Sequence, residues 1–289
     1  MNLPNLLIVG AAKSGTTSLH NYLKQHPDIF MSNHKEPHFL INNEIGVNRI
    51  PKGINNLQDY SNLFSNGTSQ KYRGESSAMY LQFPEIAIKN IDRYLDEDVK
   101  IIIMLRNPIE RAFSGYQHVK RYNLDEDLDF EDAIEISEQR YFTNNNITPA
   151  SRYIHIGMYN EFVRKFKTKF KTNVHIIIYK DFINNTNQEL SRLFSFLGIK
   201  DVQIDFNKQY MVGGWKWKND LFRKIFMKRH SLKKFIPFKR LIRAAFKLFA
   251  TDSVEKIDDP VREKLIGIYK DDIKNLSTFL NVDLNFWTK

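Results

Sequence analysis

Lys13, Ser14, Gly15, Thr16, Thr17 and Ser18 place one ammonium, four hydroxyls and a glycine in six consecutive positions. They follow a short apolar run at residues 6–9 and Gly10, and lead into a helical pattern at 16–25. A glycine-containing turn between a strand and a helix suits a phosphate-like dianion, because backbone N–H groups and the helix dipole point at it. The common nucleotide pattern puts lysine directly after the second glycine. Here the glycines are spaced as that pattern requires, but Lys13 precedes Gly15 and two threonines follow it. The group held is thus an anion gripped by a displaced lysine and several hydroxyls.

A second anion site is legible at residues 101–118, IIIMLRNPIERAFSGYQH. Arg106 stands just beyond an apolar run. Asn107 suits a helix cap and Pro108 the first helical position. Arg111, Ser114 and His118 then follow at three- and four-residue steps, on one helix face. An arginine at a strand end and a serine on the facing helix, Arg106 and Ser114, are equipped to hold a phosphate by charge-assisted hydrogen bonds.

These sites need elements to position them. Apolar runs at 6–9, 100–105 and 174–179, with a weaker one at 72–75, read as buried parallel strands. Residues 16–25, 109–121, 158–170 and 187–197 read as intervening helices, and 260–280 as a final helix with Pro260 at its start. Alternating strands and helices predict an α/β fold: a P-loop-type three-layer domain with a central parallel sheet flanked by helices. Ligands of such sheets bind beyond the carboxyl ends of the strands, where both anion motifs fall. Asn-rich residues 42–70 read as a loop with short turns, and 144–149 as another loop. With no repeat and no boundary, the 289 residues are expected to form a single domain, 1–289.

The two anion motifs together resemble the sulfotransferase family that uses 3′-phosphoadenosine 5′-phosphosulfate (PAPS). AAKSGTTSL is similar to its 5′-phosphosulfate loop, and LRNPIERAFSGYQH to its 3′-phosphate motif. KEPHFL (35–40) and GESSAMYL (74–81) resemble motifs of the carbohydrate, heparan-sulfate-like branch; GMYNEFVRKF and FLNVDLNFW resemble segments of bacterial members. The resemblance implies PAPS as co-substrate, 3′-phosphoadenosine 5′-phosphate (PAP) as product, and no metal. It implies transfer of a sulfuryl group to a hydroxyl of a carbohydrate or glycolipid. Lys13 is the implied stabiliser of leaving-group charge; Glu36 is the candidate base, with His38 a partner or second base. VGGWKWKND (212–220) resembles the segment that closes over the nucleotide. There Trp215 or Trp217 would stack on the purine, and Lys216 or Lys218 would reach phosphate. Where that branch often carries lysine and proline, this sequence has Ser76 and Ala78, and Lys35 is the residue placed to compensate.

Charge adds one more feature. The net charge is +10, and residues 221–251 hold ten Lys or Arg and no Asp or Glu, so the rest of the chain is balanced. Apolar residues recur there at helical steps, which predicts a basic helical segment at 218–250, divided near Pro237. Such a surface attracts an anionic glycan or a membrane surface. Two other function classes stay open on the sequence: a P-loop nucleotide-dependent kinase, and a basic nucleic-acid or membrane-surface binding protein. The first lacks a carboxylate at the strand end for magnesium; the second leaves both anion motifs unused, so no nucleic acid is expected as partner. Absent cysteine, a start almost directly into a strand, and no apolar run of about 18 residues predict a cytoplasmic protein, with membrane association limited to the basic segment.

Overall fold

The computed structural model describes residues 1–122, 127–206, 216–217, 250–251 and 256–289. Five parallel strands form the central sheet: β1 (Leu6–Gly10), β2 (Ile29–Met31), β3 (Tyr72–Ser76), β4 (Lys100–Leu105) and β5 (Val174–Ile178), in the order β2-β3-β1-β4-β5. Parallel pairing runs from Leu6 to Gly74 on one side of β1 and from Leu6 to Lys100 on the other. β1 is buried along its whole length. That is why it reads as an unbroken apolar run: both faces are covered.

Alternate residues of the central strands feed two different cores. Leu6, Ile8, Ile102 and Met104 pack with Leu19 and Leu23 of α1 (Thr16–Leu23). Leu7, Val9, Ile101, Ile103 and Leu105 face the other layer. That layer is built from α2 (Phe39–Ile45), α3 (Leu57–Asn62), α4 (Pro84–Tyr94), α5 (Pro108–Tyr122), α6 (Phe130–Thr143) and α7 (Tyr159–Phe170). Helices α8 (Tyr179–Asn184) and α9 (Thr186–Leu197) return to the α1 side, where Phe182, Leu190, Leu193 and Leu197 join its core. A last helix, α10 (Asp259–Leu280), lies against α7, and a terminal turn buries Trp287 beside Tyr159. The expected three-layer α/β arrangement is the one found.

Five helices and one strand lie where the sequence pattern gives no expectation: β2, α2, α3, α4, α6 and α8. Residues 42–70 are not simply a loop. α2 extends to Ile45, and α3 is capped by the Asn56 side chain, which accepts the Asp59 N–H at 2.8 Å. Helices of six or seven residues carry too few turns to display a period. Residues 216–217 and 250–251 pair as a two-stranded antiparallel ribbon, β6 and β7. The rest of the expected basic helical segment at 218–250, with Trp215 and Lys218, lies outside the described residues. Among the described residues no helix is long and apolar enough to cross a membrane.

Candidate active site

β1 is the pivot of the sheet. The chain leaves it toward β2 on one side and later leaves β4 toward β5 on the other, so a crevice opens outside the carboxyl ends of β1 and β4. The loop of residues 11–15 lies at this mouth. The Ala11 N–H donates to the Met104 carbonyl at 2.7 Å and keeps the loop's entry tied to β4. Lys13 and Gly15 are left-handed, with φ of 70° and 89°. Gly15 is required twice over: by its φ, and because a Cβ there would lie 2.9 Å from Cε2 of Tyr179. Helix α1 makes its first backbone bond from Leu19 N–H to the Gly15 carbonyl at 3.2 Å. The N–H groups of Thr16 and Thr17 thus have no acceptor inside the helix and point out at its N-terminus. Ser14 Oγ is fully buried and has no hydrogen-bond partner in the protein. A buried hydroxyl without a partner is costly unless a ligand completes it.

The electrostatics match. Burial, then the charges of Arg121, Arg106, Lys35 and Arg111, push the Lys13 ammonium down to about 8. Four cations, two from α5 and one each from the turn after β4 and the segment after β2, therefore converge on one lysine. His118 on α5 feels the same field: burial, then Lys13 and Arg121, lower it to about 4. Arg106 reaches back to the Lys13 carbonyl at 3.4 Å, lies 5.2 Å from the centre of the Tyr179 ring, and approaches Glu110 at 3.7 Å. Asn107 caps α5 as expected, accepting the Ile109 N–H at 3.0 Å, while its amide donates to the Trp287 carbonyl at 2.9 Å. The C-terminal turn thus braces the Arg106 turn. Ser114 is half-buried on α5; Arg111, on the same expected helix face, is wholly buried.

Glu36 arrives from the β3 side. Its N–H donates to the Ser76 carbonyl at 2.9 Å, which ties the segment after β2 to the end of β3. Glu36 and His38 are both left-handed, with φ of 62° and 53°. The Glu36 Oε2 accepts the Ala78 N–H at 2.9 Å and lies 3.3 Å from His38 Nε2, and the Lys35 ammonium pairs with Oε1. A third of the side chain remains accessible. Burial opposes its charge, yet Lys35 and His38, with the Lys35 and Ala78 hydrogen bonds, hold the carboxyl below its ordinary value. His38 is lowered by burial, only partly offset by Glu36. At neutral pH this gives an ionised Glu36 beside a neutral imidazole, whose Nδ1 is buried with no partner.

Several residues here carried no functional expectation. Glu75 is fully buried on β3, accepting from the Tyr60 hydroxyl at 3.2 Å and from Ser77 Oγ at 2.9 Å. Ser77 Oγ also accepts the His38 N–H at 3.0 Å, so Glu75 supports the Glu36–His38 segment from behind. The one signal in the sequence is an acid within an otherwise buried strand. Ser76 pairs with His20 Nδ1 at 2.8 Å. Lys35, which did carry an expectation as the compensating lysine, supplies the ammonium next to Glu36. Lys216 and Trp217 lie in β6.

With the geometry in place, comparison with known proteins is informative. The profile of the family described as "Sulfotransferase domain" matches residues 3–268. Mouse carbohydrate sulfotransferase 15 is 23% identical over 249 residues, which covers 68% of this chain and 44% of that protein. The human bifunctional heparan sulfate N-deacetylase/N-sulfotransferase 1 is 33% identical over 120 residues, 42% of this chain and 13% of that protein. The chain thus spans less than half the length of these curated relatives. A solved sulfotransferase from Alicyclobacillus acidocaldarius superposes with a TM-score of 0.77 at 26% identity, covering 100% of both chains. A profile match over most of its length, joined to a fold shared end to end with a solved member, places this chain in the sulfotransferase domain family.

Proposed function

We propose that this chain is a single catalytic domain that moves a sulfuryl group from PAPS to a hydroxyl of a carbohydrate or glycolipid acceptor. The carrying observation is the convergence of Lys13, Arg106, Arg111 and Arg121 at the mouth of β1 and β4, with ionised Glu36 on the other side of β1. The donor has two anionic ends. Lys13, the Ser14 hydroxyl and the N–H groups of Thr16 and Thr17, with the Ser18 hydroxyl expected beside them, suit the phosphosulfate; Arg106 and Ser114 suit the 3′-phosphate. The partnerless Ser14 Oγ is a place that a donor oxygen would satisfy.

In the reaction, the acceptor hydroxyl gives its proton to Glu36 as its oxygen bonds to sulfur. The bond from sulfur to the bridging phosphate oxygen breaks, and the Lys13 ammonium stabilises the charge left on that oxygen. Neutral His38 holds the Glu36 carboxylate in place by Nε2. The kinase alternative gives way because the family match is to sulfotransferases. The carbohydrate or glycolipid acceptor is supported by the kind of relatives matched. Contact of residues 221–251 with an anionic acceptor or membrane surface belongs to the same proposal.

The test joins two measurements. Calorimetry with PAP should give binding that does not need magnesium. Incubation with radiolabelled donor and a panel of glycans and lipid extracts should label a carbohydrate-containing fraction. Absence of PAP binding refutes the donor reading; PAP binding with label only on aromatic hydroxyls refutes the acceptor reading.

A further inference from the structure

Arg111 is an arginine in the wrong place for a surface helix. Its side chain is 0% exposed and is among the largest fully buried side chains of the protein. Nη2 donates to the Tyr153 carbonyl and the guanidinium also contacts the Tyr269 hydroxyl, while Nε and Nη1 have no acceptor of good geometry. No ion pair joins it to a carboxylate among the described residues. Its neighbours are phenols: the guanidinium charge is felt at Tyr159 and Tyr269, both fully buried. Gly115 leaves it room, since a Cβ there would stand 3.4 Å from Nη1. A buried ion without a counter-ion is strongly unfavourable, and a structural arginine of this kind is normally paired.

We propose that Arg111 is a fixed charge of the donor site whose counter-ion is the bound donor: it acts on the anion through the field, from beneath the loop, without touching it. This rests on the donor reading above. Tyr159 connects the two regions. Its hydroxyl donates to the Arg106 carbonyl at 3.0 Å and lies within reach of the buried Ser14 Oγ, with which it makes no hydrogen bond of good geometry. Arg111 therefore sits one layer behind the two groups assigned to the donor's anionic ends. Its charge also contributes to lowering Lys13, so its field reaches the loop. In the free protein these cations repel one another. A donor carrying both a phosphosulfate and a phosphate converts that repulsion into attraction, and the charge that costs stability in the free state adds affinity in the bound one.

The alternative is that Arg111 merely ties down the Tyr153 carbonyl and fills space. Three variants separate the readings. R111K keeps the charge, R111Q keeps a donor for Tyr153 without the charge, and R111M keeps only volume. PAP affinity by calorimetry should fall roughly tenfold or more in R111Q and R111M, the scale of one charge acting through partly desolvated protein. R111K should stay within about threefold of wild type. In R111Q, the Lys13 amine, followed by NMR with labelled lysine, should titrate above its starting value of about 8, a shift that a purely structural role would not produce. Equal loss in R111K and R111Q, wild-type affinity in R111Q, or an unmoved Lys13 titration would each overturn the proposal. So would a failure of both neutral variants to fold while R111K binds PAP normally. Wild-type protein that does not bind PAP overturns the donor reading and this one with it; wild-type binding that is indifferent to Arg111 overturns only this one.

Discussion

Replacing Glu75 by glutamine should change how stability depends on pH, and the size of the change follows from where the carboxyl sits. Glu75 is fully buried. Burial raises its pKa first; hydrogen bonds from Tyr80, Ser77 and Tyr60 pull it back, the Glu36 charge raises it again, and the net value is about 7 against an ordinary 4.5. Between those values the folded protein keeps a proton that the unfolded chain has released. Stability from this group is therefore full below about 4.5 and is lost as pH rises through about 7. The gap corresponds to about 3 kcal/mol at most. Glutamine has no proton to lose, but its amide faces hydroxyls that now donate to carboxylate oxygens, which costs about 1–2 kcal/mol at any pH. Urea unfolding of both proteins at pH 5 and pH 8, at one ionic strength, isolates the effect, because other titrating groups such as Asp272 cancel in the difference. The wild-type advantage over E75Q should shrink by about 2–3 kcal/mol from pH 5 to pH 8. A difference that stays constant across that range refutes the buried-acid assignment.

Lys13→Ala should lower turnover roughly 10²–10³-fold with the fold intact, measured with saturating donor, and wild-type PAP affinity should weaken as pH rises above about 8, where Lys13 loses its proton. Arg106→Ala and Ser114→Ala should each weaken PAP binding by about 1.5–3 kcal/mol by calorimetry while slowing chemistry less. Glu36→Gln should cut the maximal rate and leave PAP affinity near wild type; an active Glu36→Gln beside a crippled His38→Ala would exchange their roles. Reversing charge at Lys233, Lys234, Arg240 and Arg243 should raise the Michaelis constant for an anionic acceptor and flatten its salt dependence, and unaltered kinetics at low ionic strength would remove this segment from acceptor recruitment.

The parts of the fold legible in the sequence are those whose physics is local or continuous. β1, β4 and β5 are buried on both faces, so their apolar runs mark them to within a residue. β2 is three residues long, Ile29–Met31, and no periodicity survives at that length. β3 carries Arg73 and Glu75, and a buried acid disguises a central strand as a weak one. α4 has Ala87 and Ile91 inside but Lys89, Asp92 and Arg93 around them, so only its Pro84 start stands out. The loop proposed to hold the phosphosulfate is readable because its six residues are contiguous. Glu36 was reached by resemblance alone, since its partners, Ser76 and Ala78, are about forty residues away. The sequence places Arg111 on one helix face with Ser114 and His118 but gives no sign of its burial, because its partners Tyr153 and Tyr269 come from distant segments.

The sheet order explains why one loop can serve two chemistries. β1 has β4 on one side and β3 on the other, and neighbouring strands lie only about 5 Å apart. The cations enter from the loop itself and the β4 side through Arg106 and Arg111; the carboxylate enters from the β3 side, held to the Ser76 carbonyl and the Ala78 N–H. The two sets cannot simply neutralise each other, because Glu36 is already matched by Lys35. That local pairing keeps Glu36 ionised and leaves Lys13 and the buried Arg111, which have no carboxylate partner among the described residues, for the proposed donor. In the proposed reaction it also makes Glu36 a weak base, with its pKa held below the usual carboxylate value. A weak base extracts little from a free hydroxyl. It becomes adequate once the acceptor oxygen has begun to bond to sulfur and its proton has grown acidic, so proton transfer is tied to sulfuryl transfer rather than preceding it. The ammonium beside Glu36 then favours a reaction in which bond formation leads and the proton follows.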